Sequence, residues 1–495
     1  MSELDTSTIE DLGRYRVVVM VIAILASYLI ALNTTVLGLA LPSIGADLGV
    51  DGAHIDWVIT TYLIALAVSL PATGWLADRF GRRPTFIWSL ALFSLGAVIA
   101  VTAPNLAVLL VGRIVQGLGG GALLPLSLTM VYELFPPHRR GTAIGIWGVA
   151  IAAAPALGPP AGGWLLTVAS WRWIFVGLLV IALLAMGLAM RYLRELVTPS
   201  RPPLDAPGWM AVAITFGGLV VLSRNAAAWG YTSWRTLVLA VLILVVAALL
   251  VRRSLRIDHP LLELRTFANR TFSVVMLLMA MVSMAQFAKL NFLPVELQVI
   301  REMSTLDVGM LLAPSGVAVS LSMPLGGNLT DRLGPRAPVI AGLLVTALGT
   351  AVLATLQADT TLTMLLVAVI VQGFGSGLLL SPLQVTAMSS VRPHLVAHAS
   401  AITQLNRQVS AAVATAIMAA MLVAQVGSMT PPAGTAAEVA SAQAGYNSIF
   451  VLATGVLLVG LLPALALPGR RATRRHRADA GTVPREVPAP KWLRQ

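Results

Sequence analysis

Three cations and three carboxylates are the side chains of this sequence whose placement could bind protons or ionic ligands. Arg113, Lys289 and Arg407 fall inside long apolar segments, and Asp56, Glu296 and Asp307 stand at the ends of others. A Lys or Arg at the centre of a membrane helix costs about 2.5–3.5 kcal/mol on insertion scales, so an ion kept there is a functional candidate by default. Enzymatic chemistry would instead need clustered titratable groups near a membrane face. The six histidines, at 54, 138, 259, 394, 398 and 476, read as loop or tail residues. His394 and His398 have the spacing of a helical zinc pair but no acidic or cysteine companion, so an ordinary loop is the reading. Neither a phosphate-cradling loop nor a ring of charges that could line a channel is visible. The expectation is a protein that is not an enzyme and uses no metal or other cofactor.

The elements that would carry these residues are membrane helices. The chain is 57% apolar and 11% charged, against about 45–50% and about 25% for soluble domains. Fourteen apolar segments are legible, at 16–41, 55–77, 85–103, 106–131, 142–167, 173–193, 208–223, 236–251, 272–293, 306–325, 338–356, 362–388, 399–424 and 446–467. Most can cross a core about 30 Å thick, and in hydrocarbon each must be a helix to satisfy its own backbone. The polar N-terminus and the length of the first apolar run argue against a cleavable signal. With no cysteine, disulfides are excluded.

Charge sets the expected orientation. With the N-terminus inside, the inside segments hold 26 Lys and Arg, the outside segments four, and the spans three. By the positive-inside rule both termini are cytoplasmic. The net charge of +12 is therefore topology and attraction to membrane lipids, and calls for no nucleic acid. The preference for Arg over Lys fits a high-GC bacterial chain, hence a bacterial cytoplasmic membrane.

Charge also concentrates oddly. In GWLADRFGRRP, Gly74, Asp78, Arg79, Gly81, Arg82 and Arg83 crowd into the turn between the second and third spans, and GGNLTDRLGP repeats it with Asp331 and Arg332 at an offset of 253. VQGLGGGALL at 115–124 returns as VQGFGSGLLL at 371–380. Two matches at nearly one offset imply duplicated six-helix halves with two helices inserted between, as many secondary transporters are built. The expected units are 1–193, 194–270, 271–468 and a basic tail, 469–495. The arginines serve orientation, whereas the repeated aspartate suits a neighbouring helix N-terminus, whose dipole favours negative charge.

These motifs resemble the major facilitator superfamily, and within it the 14-span drug/proton antiporters. Gly74 to Arg83 resembles that superfamily's loop motif, which implies that Asp78 latches the two halves. Arg113, Gln116 and Gly117 resemble its span 4 motif, and Gly158, Pro159, Gly162 and Gly163 its span 5 antiporter motif. The resemblance implies an all-α fold and export of amphiphilic small molecules in exchange for protons, with alternating access; the alternative is a lipid or metabolite exporter of the same fold without tight proton coupling. In the family the span 4 arginine bonds to span 1, which leaves Arg113 either structural or coupling. The span 5 glycines and prolines serve either close packing or a moving gate. Where many of the resembled antiporters carry an Asp in span 1, this chain has Asn33, which cannot titrate.

Asn33, Tyr62, Gln286, Lys289, Asn291, Gln404 and Arg407 are the candidate cavity residues, and Asp56, Glu296 and Asp307 the candidate proton carriers. All three acids read as solvated helix-end charges. Three buried cations without a central anion suggest a cavity suited to anionic, zwitterionic or neutral amphiphiles. A monomer is expected.

Overall fold

The computed structural model describes residues 6–50, 52–195, 200, 202–230, 232–357, 360–426 and 436–469. The basic tail beyond Gly469 lies outside the described residues. Among these the chain is helical, without a strand. The first half contributes α1 (Thr6–Leu48), α2 (Trp57–Ser69, continuing through Leu70–Ala72 into Thr73–Phe80), α3 (Arg82–Val101), α4 (Leu106–Leu134), α5 (Arg140–Val168) and α6 (Arg172–Tyr192). Two further helices follow: α7 (Ala206–Val212, a π-helical turn Ala213–Gly217, then Gly218–Trp229) and α8 (Trp234–Ser254). The second half comprises α9 (Arg270–Ile300), α10 (Thr305–Leu333), α11 (Arg336–Leu353), α12 (Leu362–Ser389), α13 (Val396–Val426) and α14 (Ala436–Val459).

Thirteen of these helices are long and apolar enough to cross a membrane, and α5 is a continuous helix of 29 residues. The fourteen-helix reading of the sequence stands, but its ends need correction. Helix α1 runs through Pro42 to Leu48, beyond the apolar stretch that ends at 41. Helix α14 starts at Ala436, because AAEVASAQAG is a good helix former without being apolar. Side-chain caps fix several starts: Asn105, Ser233, Asn269, Ser304 and Thr361 each accept from a backbone N–H in the following turn, which satisfies donors that hydrocarbon cannot.

The internal repeat has a structural counterpart. Helices α2, α3 and α4 pack as one group and α10, α11 and α12 as another. The turns after α2 and α10 end on Gly81 at φ +93° and Gly334 at φ +83°, a conformation that side chains rarely tolerate. The glycine-rich repeats let backbones touch in both halves. A Cβ on Gly96 would meet Gln116 N at 2.5 Å, and one on Gly349 would meet Gln372 N at 2.5 Å.

The inserted pair is tied to the first half. Asp205, buried at the start of α7, accepts from Gly208 N at 2.9 Å and from Arg253 Nε on α8 at 2.8 Å. Trp209 donates to Val68 O on α2. The later part of α7 packs against both α2 and α13, so it spans the side of the seam between the halves.

Candidate functional site

The seam is built from residues of the repeated turns. Asp331, in the last turn of α10, accepts from Gly141 N at 3.0 Å, Thr142 N at 2.9 Å and Thr142 Oγ1 at 3.0 Å, all in the first turn of α5. Charge-assisted bonds of this kind, at a helix end with positive partial charge, are among the stronger polar contacts. Asp78, near the end of α2, lies 3.0 Å from His398 Nε2 in the first turn of α13. Each half thus sets one aspartate against the start of a helix of the other half. His398, read from sequence as a loop residue, is helical and 8% exposed; burial against Asp78 explains the difference. Ser381 donates to Gly141 O and Ser400 to Pro125 O. These hydrogen bonds join the two six-helix halves, and they lie toward the face carrying the Asp78 and Asp331 turns.

Close backbone approach completes the seam. Gly141 and Gly327 touch backbone to backbone, and Gly145 sits against Met323 and Pro324. Gly74 leaves room for the His398 ring, whose Nδ1 a Cβ there would meet at 2.5 Å. The basic residues around Asp78 have partners of their own. Arg82 pairs with Glu133, Arg83 donates from its backbone to Glu195 and from its guanidinium to Met190 O, and Arg79 donates to Pro202 O. Arg332 is exposed.

A second cluster is sealed inside the first half. Arg113 is 1% exposed. It donates to Val58 O at 3.0 Å, Asn33 Oδ1 at 2.8 Å and Gln116 Oε1 at 2.5 Å, with its guanidinium 4.2 Å from the centre of the Tyr62 ring. Asn33 and Tyr62 are 1% and 0% exposed, so both are committed to Arg113 and do not line an open cavity. The bond to α1 that the resemblance implied for Arg113 is present, with Asn33 as its acceptor. Gly117 packs on the α2 backbone beside Tyr62. Gly158 and Gly162 of α5 pack against Thr35 and Val36 of α1, whereas Gly163 has open space. Only the backbone of Pro159 is among the described parts.

The second half holds the two cations without such a cage. Lys289 is 8% exposed and its Nζ donates to Ser315 Oγ at 2.6 Å. Ser315 follows Tyr62 by the same offset of 253 as the repeated turns. Arg407 is half-buried. Nearby, Asn406 donates to Met276 O and Asn291 to Thr415 Oγ1, which sets α9 and α13 side by side. Gln404 is buried, Gln286 half-buried and Asn291 exposed.

The three acids separate. Asp56 and Asp307 are exposed helix-start residues, and Asp307 accepts from Ser304 Oγ at 2.7 Å. Glu296 is 0% exposed, which corrects its reading as a solvated helix-end charge. The helix α14 begins earlier than its apolar stretch, so Gln443 and Tyr446 cover the carboxyl. Gln443 and Tyr446 escaped the sequence reading, since isolated polar residues in or beside apolar runs carry no motif, and His398 was read there only as a loop residue.

Comparison with known proteins agrees with this architecture. Residues 23–415 match the family model described as the Major Facilitator Superfamily. The chain is 31% identical over 494 residues to a multidrug resistance protein B homolog of Mycobacterium tuberculosis, covering 92% of this chain and 90% of the relative. It is 32% identical over 477 residues to the puromycin resistance protein pur8 of Streptomyces alboniger, covering 94% and 93%. Its fold matches the crystal structure of the human organic anion transporter MFSD10 with a TM-score of 0.63 at 16% identity, covering 91% and 99%. Duplicated halves, paired seam aspartates and these matches lead to one identification: the chain belongs to the Major Facilitator Superfamily and is a membrane transporter.

Proposed function

We propose that this protein exports amphiphilic small molecules, drugs or metabolites, from a bacterial cell across the cytoplasmic membrane by proton antiport with alternating access. The face carrying the Asp78 and Asp331 turns is then cytoplasmic, with both termini on that side, as the distribution of Lys and Arg supports. The carrying observation is the clustering of the inter-half hydrogen bonds at that one face. A pair of halves fastened at that end can rock about a site at mid-depth, and on this reading the state is the one closed on the cytoplasmic side. The resistance proteins among its relatives support export of small molecules.

The substrate would meet a site with positive charge. Arg113 is used within its own cluster, which leaves Lys289 and Arg407 to face a ligand. Anionic, zwitterionic and neutral amphiphiles suit such a site better than lipophilic cations. Proteoliposomes with an imposed pH gradient, loaded in turn with puromycin, taurocholate and ethidium, test both halves of the reading. The expected result is gradient-driven transport coupled to proton flux, with ethidium the poorest substrate. Transport indifferent to the gradient would remove antiport, and efflux restricted to ethidium would remove the charge argument.

A further inference from the structure

Glu296 has an environment that an ordinary structural carboxylate would not choose. Among the described residues it is the one acid at 0% exposure. Gln443 Nε2 donates to its Oε1 at 2.7 Å, while its Oε2 is buried without a partner. The titratable or charged groups that face it are Tyr446 of α14 and Arg301 just beyond α9. Arg301 spends its terminal nitrogens on Thr360 O at 2.7 Å and Gln357 O at 2.6 Å, so no ion pair forms with Glu296. Among the described residues, α10, α12 and α13 bring no charged group to it.

The neighbouring amides fix the direction of every bond. Asn447 Nδ2 donates to Leu356 O at 2.8 Å, which can only accept. Asn447 Oδ1 therefore accepts, and its donor is Gln443 Nε2 at 3.0 Å. With both Gln443 amide hydrogens used, on Asn447 and on Glu296 Oε1, its own Oε1 is a buried acceptor with no donor. Two orphaned oxygens, one on each member of the bonded pair, are unfavourable in a site sealed from water. A proton on Glu296 Oε2 would neutralise a carboxylate that no cation pairs, and Gln443 Oε1 is an acceptor still unused on its bonded partner.

We propose that Glu296 is a proton-binding site of the transport cycle, occupied in the state seen here and held closed by Gln443. This rests on the antiport reading above and names the carrier that Asn33 cannot be. The proton is taken from water on the extracellular side, near the end of α9, and returned to water on the cytoplasmic side after the halves rock. Losing it would leave an unpaired carboxylate in a dry pocket, a state that favours rearrangement of α9 against α14. Lys289 lies two turns away on the same helix, so such a movement would reach the cationic site.

Infrared difference spectroscopy on the full-length protein in lipid discs, stepped in pH, reads the carboxyl directly. The expected result is a titrating protonated-carboxyl stretch that disappears in Glu296→Gln and shifts in frequency in Gln443→Leu, a variant that keeps the acid. A band unchanged in both variants overturns the proposal. Proteoliposome transport of puromycin then separates the two levels. Glu296→Gln should lose gradient-driven transport and its coupled proton flux by about tenfold or more. Coupled transport in wild type and variant alike overturns the role of Glu296 and leaves antiport intact. A wild type that transports without proton flux overturns antiport, and the coupling role of Glu296 falls with it.

Discussion

Asp78 and His398 meet across the seam at 3.0 Å, binding the last turn of α2 in one half to the first turn of α13 in the other. The repeated aspartate, Asp331, makes the corresponding contact on α5 with three donors. The two contacts differ in kind. Asp331 rests on two backbone N–H groups and a hydroxyl, whereas Asp78 rests on an imidazole.

Removing the Asp331 contact should open the seam at the face of the Asp78 and Asp331 turns. Asp331→Ala deletes charge-assisted bonds worth about 1.5–3 kcal/mol each at most, so the closed population should fall by about tenfold or more. Asp78→Asn should impair turnover in the same direction while leaving membrane insertion intact. Transport rates alongside protein abundance in membranes check both, and unchanged transport by either variant would remove that aspartate from the latch.

Gly74→Ala should act as sharply as a charge change. Its Cβ would lie 2.5 Å from His398 Nδ1, far inside contact distance, so the ring must leave Asp78 or the helices must part. The expected phenotype matches His398→Ala, and the double variant should add little to either single one. Full additivity of the two in transport assays would show that the residues act separately.

Arg113 is expected to serve stability first. Arg113→Ala strands Asn33 Oδ1 and Gln116 Oε1 in a sealed pocket, and buried acceptors without donors cost about 1–3 kcal/mol each. Thermal unfolding in detergent should show a clear loss. Asn33→Asp, which places a carboxylate 2.8 Å from the guanidinium, should preserve or raise the midpoint. A lower midpoint for Asn33→Asp would mean that the pocket does not keep Arg113 charged.

Lys289→Gln and Arg407→Gln should change selectivity more than stability. Each removes a positive charge from the second half, and transport of taurocholate should drop by about tenfold relative to ethidium. Equal losses for both compounds would place these cations in packing.

Much of the fold could be read from the sequence, because hydrocarbon punishes every alternative to a helix and arginine marks one face. The repeat was equally plain: Gly81 and Gly334 recur where the chain must turn at positive φ, and the aspartates recur with them. The site was less legible. Arg113 announced itself as a charge in an apolar run, but nothing in the sequence shows that Asn33 and Tyr62 close around it. Glu296 and His398 were misjudged for a common reason. Each sits near a helix end, where the sequence suggests water, and each is covered by another helix distant in the chain, Glu296 by α14 and His398 by α2.

The chain has no cysteine, so spin labels can be placed at will. Phe80→Cys with His394→Cys spans the seam at the face of the Asp78 and Asp331 turns, and Trp57→Cys with Leu306→Cys reports the opposite face of the halves. All four positions are exposed. Distances measured by double electron–electron resonance across a pH step, with and without puromycin, should change reciprocally: the Phe80–His394 pair separates as the Trp57–Leu306 pair approaches. Two distances that stay fixed, or that lengthen together, would contradict alternating access through this seam.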